Sequence, residues 1–201
     1  MITWTYRILI KQVQGPVSRY KEFAYFVEQI APNFVPSYAK QRNSAEQSPD
    51  LETLLQAYAC YVRERLLSCD LALGLEALRE QTPNARWLIV SGGDQAELRD
   101  VFANRGIVEW FDGGSFGSPD TKDEILAREL ASGNIQQPAL FLGDSKYDYQ
   151  AASAAGLDFV FLSGWSEVTD WEAWASVHGL VYVNSVQSLV DNCSLDGRGL
   201  H

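Results

Sequence analysis

The sequence predicts an α/β protein: a Rossmann-like parallel sheet flanked by helices, with a helical region ahead of it. Three observations carry this prediction. From Arg86 onward, short apolar runs alternate with helical patterns of about ten residues, the texture of a doubly wound sheet. Ahead of that alternation, Leu51, Leu54, Leu55, Tyr58, Val62, Leu66 and Leu67 recur at three- and four-residue steps and mark a long amphipathic helix. Finally, Leu142-Gly143-Asp144-Ser145-Lys146-Tyr147-Asp148 links an apolar strand to an Ala-rich helix through a turn that bears a carboxylate.

Taken in order, the helical spacing begins at Ser18 with Tyr20, Phe23, Phe26, Val27 and Ile30, interrupted by Pro32 and Pro36. Gln41 to Asp50 is polar and turn-rich, and the helical pattern then runs to about Leu78. Trp87 to Val90 reads as a short strand and Asp94 to Asn104 as a helix. Gly106 to Phe116 holds a short strand between glycine turns, followed by a helix from Thr121 to Leu130. Leu140 to Gly143 is a strand, Tyr147 to Ala155 a helix, Phe159 to Leu162 a strand, Val168 to Ser176 a helix and Leu180 to Val183 a strand. The expected organisation is a helical region over 1–70, a core over 71–190 and a flexible tail over 191–201.

Composition narrows the function. A net charge of −10 without a basic run argues against nucleic acid or an anionic membrane surface as partner. No apolar run has transmembrane length, and Met1 to Arg7 does not read as a signal peptide. Three unpatterned cysteines, Cys60, Cys69 and Cys193, suit reduced thiols and a cytoplasmic location. With His178 and His201 the only histidines, a His base or a His/Cys zinc site is disfavoured.

Three strand ends carry candidate chemistry. Asp144 ends a strand and Asp148 follows on the same helix face, an oxygen-rich pair that suits Mg²⁺. The competing reading has Asp144 capping the helix and Asp148 solvated. Ser91-Gly92-Gly93-Asp94 places a hydroxyl and Gly-flanked N–H groups at a helix start, either an anion site or a plain cap by Ser91 or Asp94. Thr121 to Glu124 is a capping box that puts Lys122 in the first helical turn, where the macrodipole opposes a cation unless an anion is bound. Trp165, Trp171 and Trp174 read as packing of a C-terminal helix rather than as a binding site.

The ordered set of Ser91, Lys122 and Gly143-Asp144-x-x-x-Asp148 resembles the second, third and fourth motifs of the haloacid dehalogenase (HAD) superfamily of phosphohydrolases. The branch it resembles is that of phosphoglycolate phosphatase and β-phosphoglucomutase, over roughly residues 68 to 185. The resemblance implies a HAD core with a helical cap in 1–70, a small phosphorylated metabolite as partner, and Mg²⁺ as cofactor. It implies that Ser91, Gly92 and Lys122 bind the phosphoryl group, and that Asp144 and Asp148 serve the metal.

The family's first motif, Asp-x-Asp, supplies the nucleophile and the acid/base. This chain has no Asp before Asp50. One register puts Gln12 and Gln14 at those positions, and an amide performs neither task. In the register we prefer, Gln14 to Phe23 resembles a segment inside the cap, so the first core strand is missing or replaced. The expectation is an N-terminally truncated phosphohydrolase, inactive as written. Its rival is a non-catalytic phosphate- and Mg²⁺-binding pseudophosphatase acting as sensor or scaffold. A nucleotide-binding Rossmann domain ranks last, for want of a Gly-x-Gly-x-x-Gly turn.

Overall fold

The structure, a computed structural model, describes residues 51–195. They fall into two compact units, one ending at Ser68 and the other starting at Cys69. In the first lies helix α1 (Leu51–Ser68), with Glu52 in its first turn and Arg65 in its last, charges that complement the helix dipole. The helical spacing of Tyr20 to Ile30, both registers of residues 10–23 and the expected loss of the first core strand lie outside the described residues.

In the second unit, α2 (Leu75–Gln81) precedes a βα alternation. Strand β1 (Leu88–Asp94) leads to α3 (Gln95–Asn104), and β2 (Gly114–Ser118) to α4 (Lys122–Ala131). Then β3 (Leu140–Gly143) is followed by α5 (Lys146–Ala154), and β4 (Asp158–Leu162) by α6 (Trp171–His178). Strand β5 (Val181–Val183) and α7 (Val186–Leu195) complete it. Every pairing is parallel: β1 with β2 in one ladder, and β3-β4-β5 in the other.

One apolar cluster ties the ladders together. Leu88 and Val90 of β1 meet Ile125 and Leu126 of α4, Phe141 of β3, and Ala151 and Ala152 of α5. Burying a side chain such as Phe141 is worth about 1.5–3 kcal/mol, while the two alanines let α5 lie close to the sheet. A second cluster is aromatic. Trp171 and Trp174 stack on Phe161 at 5.9 and 5.3 Å, and Trp171 meets Tyr182 edge-on at 5.0 Å. The packing expected of these two tryptophans is what the structure shows; Trp165 sits instead in a 3₁₀ turn after β4 (Ser163–Trp165).

Differences from the expected elements have local causes. The helical pattern to Leu78 breaks after Ser68 and restarts at Leu75, because Gly74 takes φ 85° at the N-cap of α2. Strand β1, expected to end at Val90, runs on through Ser91, Gly92 and Gly93 to Asp94, with an irregularity after Val90, since Ser118 of β2 still pairs with Asp94. The last helix before β5 starts at Trp171 rather than Val168. The tail expected from 191 onward is helical as far as Leu195, where Val186 and Val190 bury an apolar stripe.

Candidate phosphate and metal site

Two helices begin where strands end, and their first turns meet. Thr121 N-caps α4, accepting from the Glu124 amide, while the Glu124 carboxylate takes the Thr121 N–H at 2.8 Å. Those bonds hold the Glu124 carboxyl below the usual range. The capping box fixes Lys122 as the first helical residue, and the side chain turns inward, 7% exposed. On α5, Ser145 Oγ accepts from the Asp148 amide at 3.0 Å in a second capping box.

Lys122 Nζ donates to Asp148 Oδ1, and Asp148 is fully buried. Asp148 Oδ2 accepts from the amides of Asp144 and Ser145, each at 3.2 Å. One carboxylate thus pins the strand-to-helix turn and anchors the lysine. This arrangement requires Gly143: a Cβ there would lie 2.5 Å from Asp148 Cβ. Since α4 follows β2 and α5 follows β3, the Lys122–Asp148 pair also shows that both ladders turn their carboxyl ends to the same side. Ligands of open α/β sheets bind at that edge.

Asp144 stands at this edge, buried, with 7% exposure. Ser91 lies at the end of the buried part of β1, fully buried, and its Oγ accepts from the Gly93 amide at 3.0 Å; Gly92 is exposed. Asp94 caps α3, accepting from the Glu97 amide at 3.0 Å. Close packing holds this turn as well, since a Cβ on Gly117 would come 2.3 Å from the Gly93 carbonyl oxygen. The recorded bonds therefore join Lys122, Asp144 and Asp148, with Ser91 and Gly92 at the neighbouring strand end.

Two residues that carried no signal in the sequence complete the wall. Tyr147 Oη donates to Asp123 Oδ2 at 2.5 Å, and its ring centroid lies 5.9 Å from Lys122 Nζ. Burial, then the Asp123 carboxylate, pushes the Tyr147 phenol well above its ordinary pKa. Consecutive residues of α4 thus pair with consecutive residues of α5, 122 with 148 and 123 with 147. Only the relative placement of two helices reveals this.

The whole fold has known counterparts. A HAD-superfamily hydrolase from Ehrlichia chaffeensis superposes with TM-score 0.52 at 16% identity, over 97% of this chain and 95% of that one. A HAD hydrolase of family IA, variant 3, from Entamoeba histolytica gives 0.55 at 18% identity, over 87% and 83%. A haloacid dehalogenase-like hydrolase from Streptococcus pneumoniae gives 0.57 at 18% identity, over 88% and 81%. The chain has the HAD fold. No family model and no curated protein matches the sequence itself. Within the HAD fold, the Lys122, Asp144 and Asp148 cluster occupies the carboxyl edge of the sheet.

The donor chemistry can be tested against the cofactor that the HAD resemblance implies. Among the described residues, no three His, Cys, Asp or Glu side chains gather into a metal-holding group. Mg²⁺ does not need one, being commonly held by one or two carboxylates together with water and substrate phosphate. Asp144 at the strand end fits that role. Asp148 has one oxygen on Lys122 and the other on two amides, so it braces the turn that carries Asp144.

Proposed function

We propose that this chain is a HAD-type phosphohydrolase polypeptide that binds a small phosphorylated metabolite with Mg²⁺ and, lacking its nucleophile, does not turn it over. The observation that carries the reading is the state of Lys122. An ammonium has three N–H donors, and among the described residues Asp148 Oδ1 is the one hydrogen-bond acceptor that Lys122 Nζ reaches. A buried ammonium with donors to spare, at the start of a helix, invites an anionic oxygen.

In this reading Lys122, the Ser91 hydroxyl and the Gly92 backbone hold the phosphoryl group. Asp144 holds Mg²⁺, and Asp148 orients both Lys122 and the Asp144 turn. When bound, the metal neutralises phosphate charge. No residue of this chain takes the part of nucleophile or acid/base, since no Asp precedes Asp50. That same fact favours the second reading, a pseudophosphatase that uses the pocket as sensor or scaffold. Residues 1–70 would be the helical cap that selects the metabolite. The thiols of Cys60 and Cys69, both exposed, suit a reducing cytoplasm.

Thermal unfolding with inorganic phosphate and Mg²⁺ tests the site. At a hundredfold excess over Kd, binding stabilises the native state by about 2.7 kcal/mol. Asp144→Ala removes the Mg²⁺-dependent part of the shift and Lys122→Ala the phosphate-dependent part. A melting temperature indifferent to both ligands overturns the reading.

A further inference from the structure

We propose that Tyr147 is a positioning residue for the Lys122 ammonium, held in place by Asp123, and that the Asp123–Tyr147 hydrogen bond is part of the anion site. The inference rests on the reading of Lys122 as the phosphate-binding cation. Two observations carry it.

The first is geometric. The Tyr147 ring centroid lies 5.9 Å from Lys122 Nζ, within the range at which an aromatic face attracts a cation. The ammonium also donates to Asp148, so ring and carboxylate together orient its two remaining N–H donors. The second is the anchor. Tyr147 Oη donates to Asp123 Oδ2 at 2.5 Å, and Asp123 is the residue after Lys122 on the same helix turn. The ring is therefore locked to the helix that carries the lysine, and it follows the ammonium wherever α4 moves. The ring carries no charge to compete with an incoming anion for the ammonium. Asp123 accepts from the phenol, and Lys122 pairs with Asp148 instead, keeping its other donors for the ligand.

The test uses the full 201-residue chain, inorganic phosphate with Mg²⁺ as titrant, and calorimetry. Tyr147→Phe and Asp123→Ala should each weaken phosphate binding on the order of tenfold, as expected for a lost hydrogen bond to a charged group. The pair Tyr147→Phe with Asp123→Ala should be no worse than either alone, since both remove one contact. Asp123→Asn still offers a carbonyl to the phenol and should restore binding to within about twofold of wild type.

The ε-methylene resonance of Lys122 supplies a readout that fold stability does not move: its ring-current shift should change in Tyr147→Phe, whose ring is no longer anchored to Asp123, and be kept in Asp123→Asn. If wild type binds phosphate and Lys122→Ala does not, yet Tyr147→Phe and Asp123→Ala bind like wild type, this inference alone is overturned. If those variants bind weakly but only in step with a lowered melting temperature, the Lys122 resonance being unmoved, Tyr147 is merely structural and the inference is again overturned. If wild type does not bind phosphate, or Lys122→Ala binds it equally well, the reading of the site falls and this inference falls with it.

Discussion

Lys122 and Asp148 stand 26 residues apart in sequence and form a buried ion pair, each at the first turn of its helix. The pair joins the starts of the helices that follow β2 and β3. Its carboxylate also fixes the turn bearing Asp144.

Such a pair should be costly to halve. Asp148→Asn leaves a buried ammonium facing a neutral amide, and removing one partner of a buried pair typically costs about 3–5 kcal/mol. Lys122→Met should cost less, because Asp148 keeps the amides of Asp144 and Ser145. The combination of Lys122→Met and Asp148→Asn should be more stable than the sum of the single changes predicts, and urea unfolding of the four proteins measures that coupling. Strict additivity would mean that the two side chains do not share an energetic contact.

Gly143→Ala tests close approach rather than charge. The added methyl would need to displace Asp148 Cβ, 2.5 Å away, and with it the bonds to Lys122 and the turn. Overpacking of this kind costs about 1–3 kcal/mol. A midpoint in urea equal to that of wild type would show that the turn relaxes freely.

Much of this was legible in the sequence, and the limits are physical. Apolar runs such as Leu140 to Gly143 announce strands because a buried parallel strand is apolar on both faces. Capping residues announce helix starts, and Thr121 and Glu124 form the expected box. The same punctuation places the candidate residues Ser91 and Asp144 at strand ends. What spacing cannot show is which first turns touch. Asp123 and Tyr147 are unremarkable in sequence, and their bond exists only because α4 and α5 lie side by side. The last residues of α7, from Asp191 on, fall in the expected tail because polar residues such as Asp191 and Asn192 follow its buried valines. The break at Gly74 was missed because the apolar spacing continues across it.

The alkaline limb of stability should carry the signature of Tyr147. Its phenol is harder to ionise in the folded chain than in the unfolded one. A group whose folded pKa is raised contributes fully below its unfolded pKa, about 10 for tyrosine, and that contribution is lost as pH rises above it. Stability should therefore fall above roughly pH 10, and Tyr147→Phe should flatten that decline. Absorbance titration at alkaline pH should show a late-ionising phenol that Tyr147→Phe removes. Identical alkaline limbs for wild type and Tyr147→Phe would place the phenol in water.

Catalysis is the last expectation, and it separates the two registers of the amino-terminal segment. With Mg²⁺ and an aryl phosphate, the chain should hydrolyse no faster than its Lys122→Ala variant, because neither Gln12 nor Gln14 can attack phosphorus or donate a carboxylic proton. If those two glutamines held the catalytic positions, Gln12→Asp with Gln14→Asp would restore a carboxylate pair opposite Asp144, and Mg²⁺-dependent turnover would follow. If residues 14–23 belong to a cap, the new carboxylates lie away from the phosphate and nothing changes. The resemblance of Gln14 to Phe23 to a cap segment, and Pro16 within the rival register, favour the second outcome. We expect the double variant to remain inactive. Turnover that appears with Mg²⁺ and disappears in an added Asp144→Ala would establish the first register and make this chain a natural pseudophosphatase.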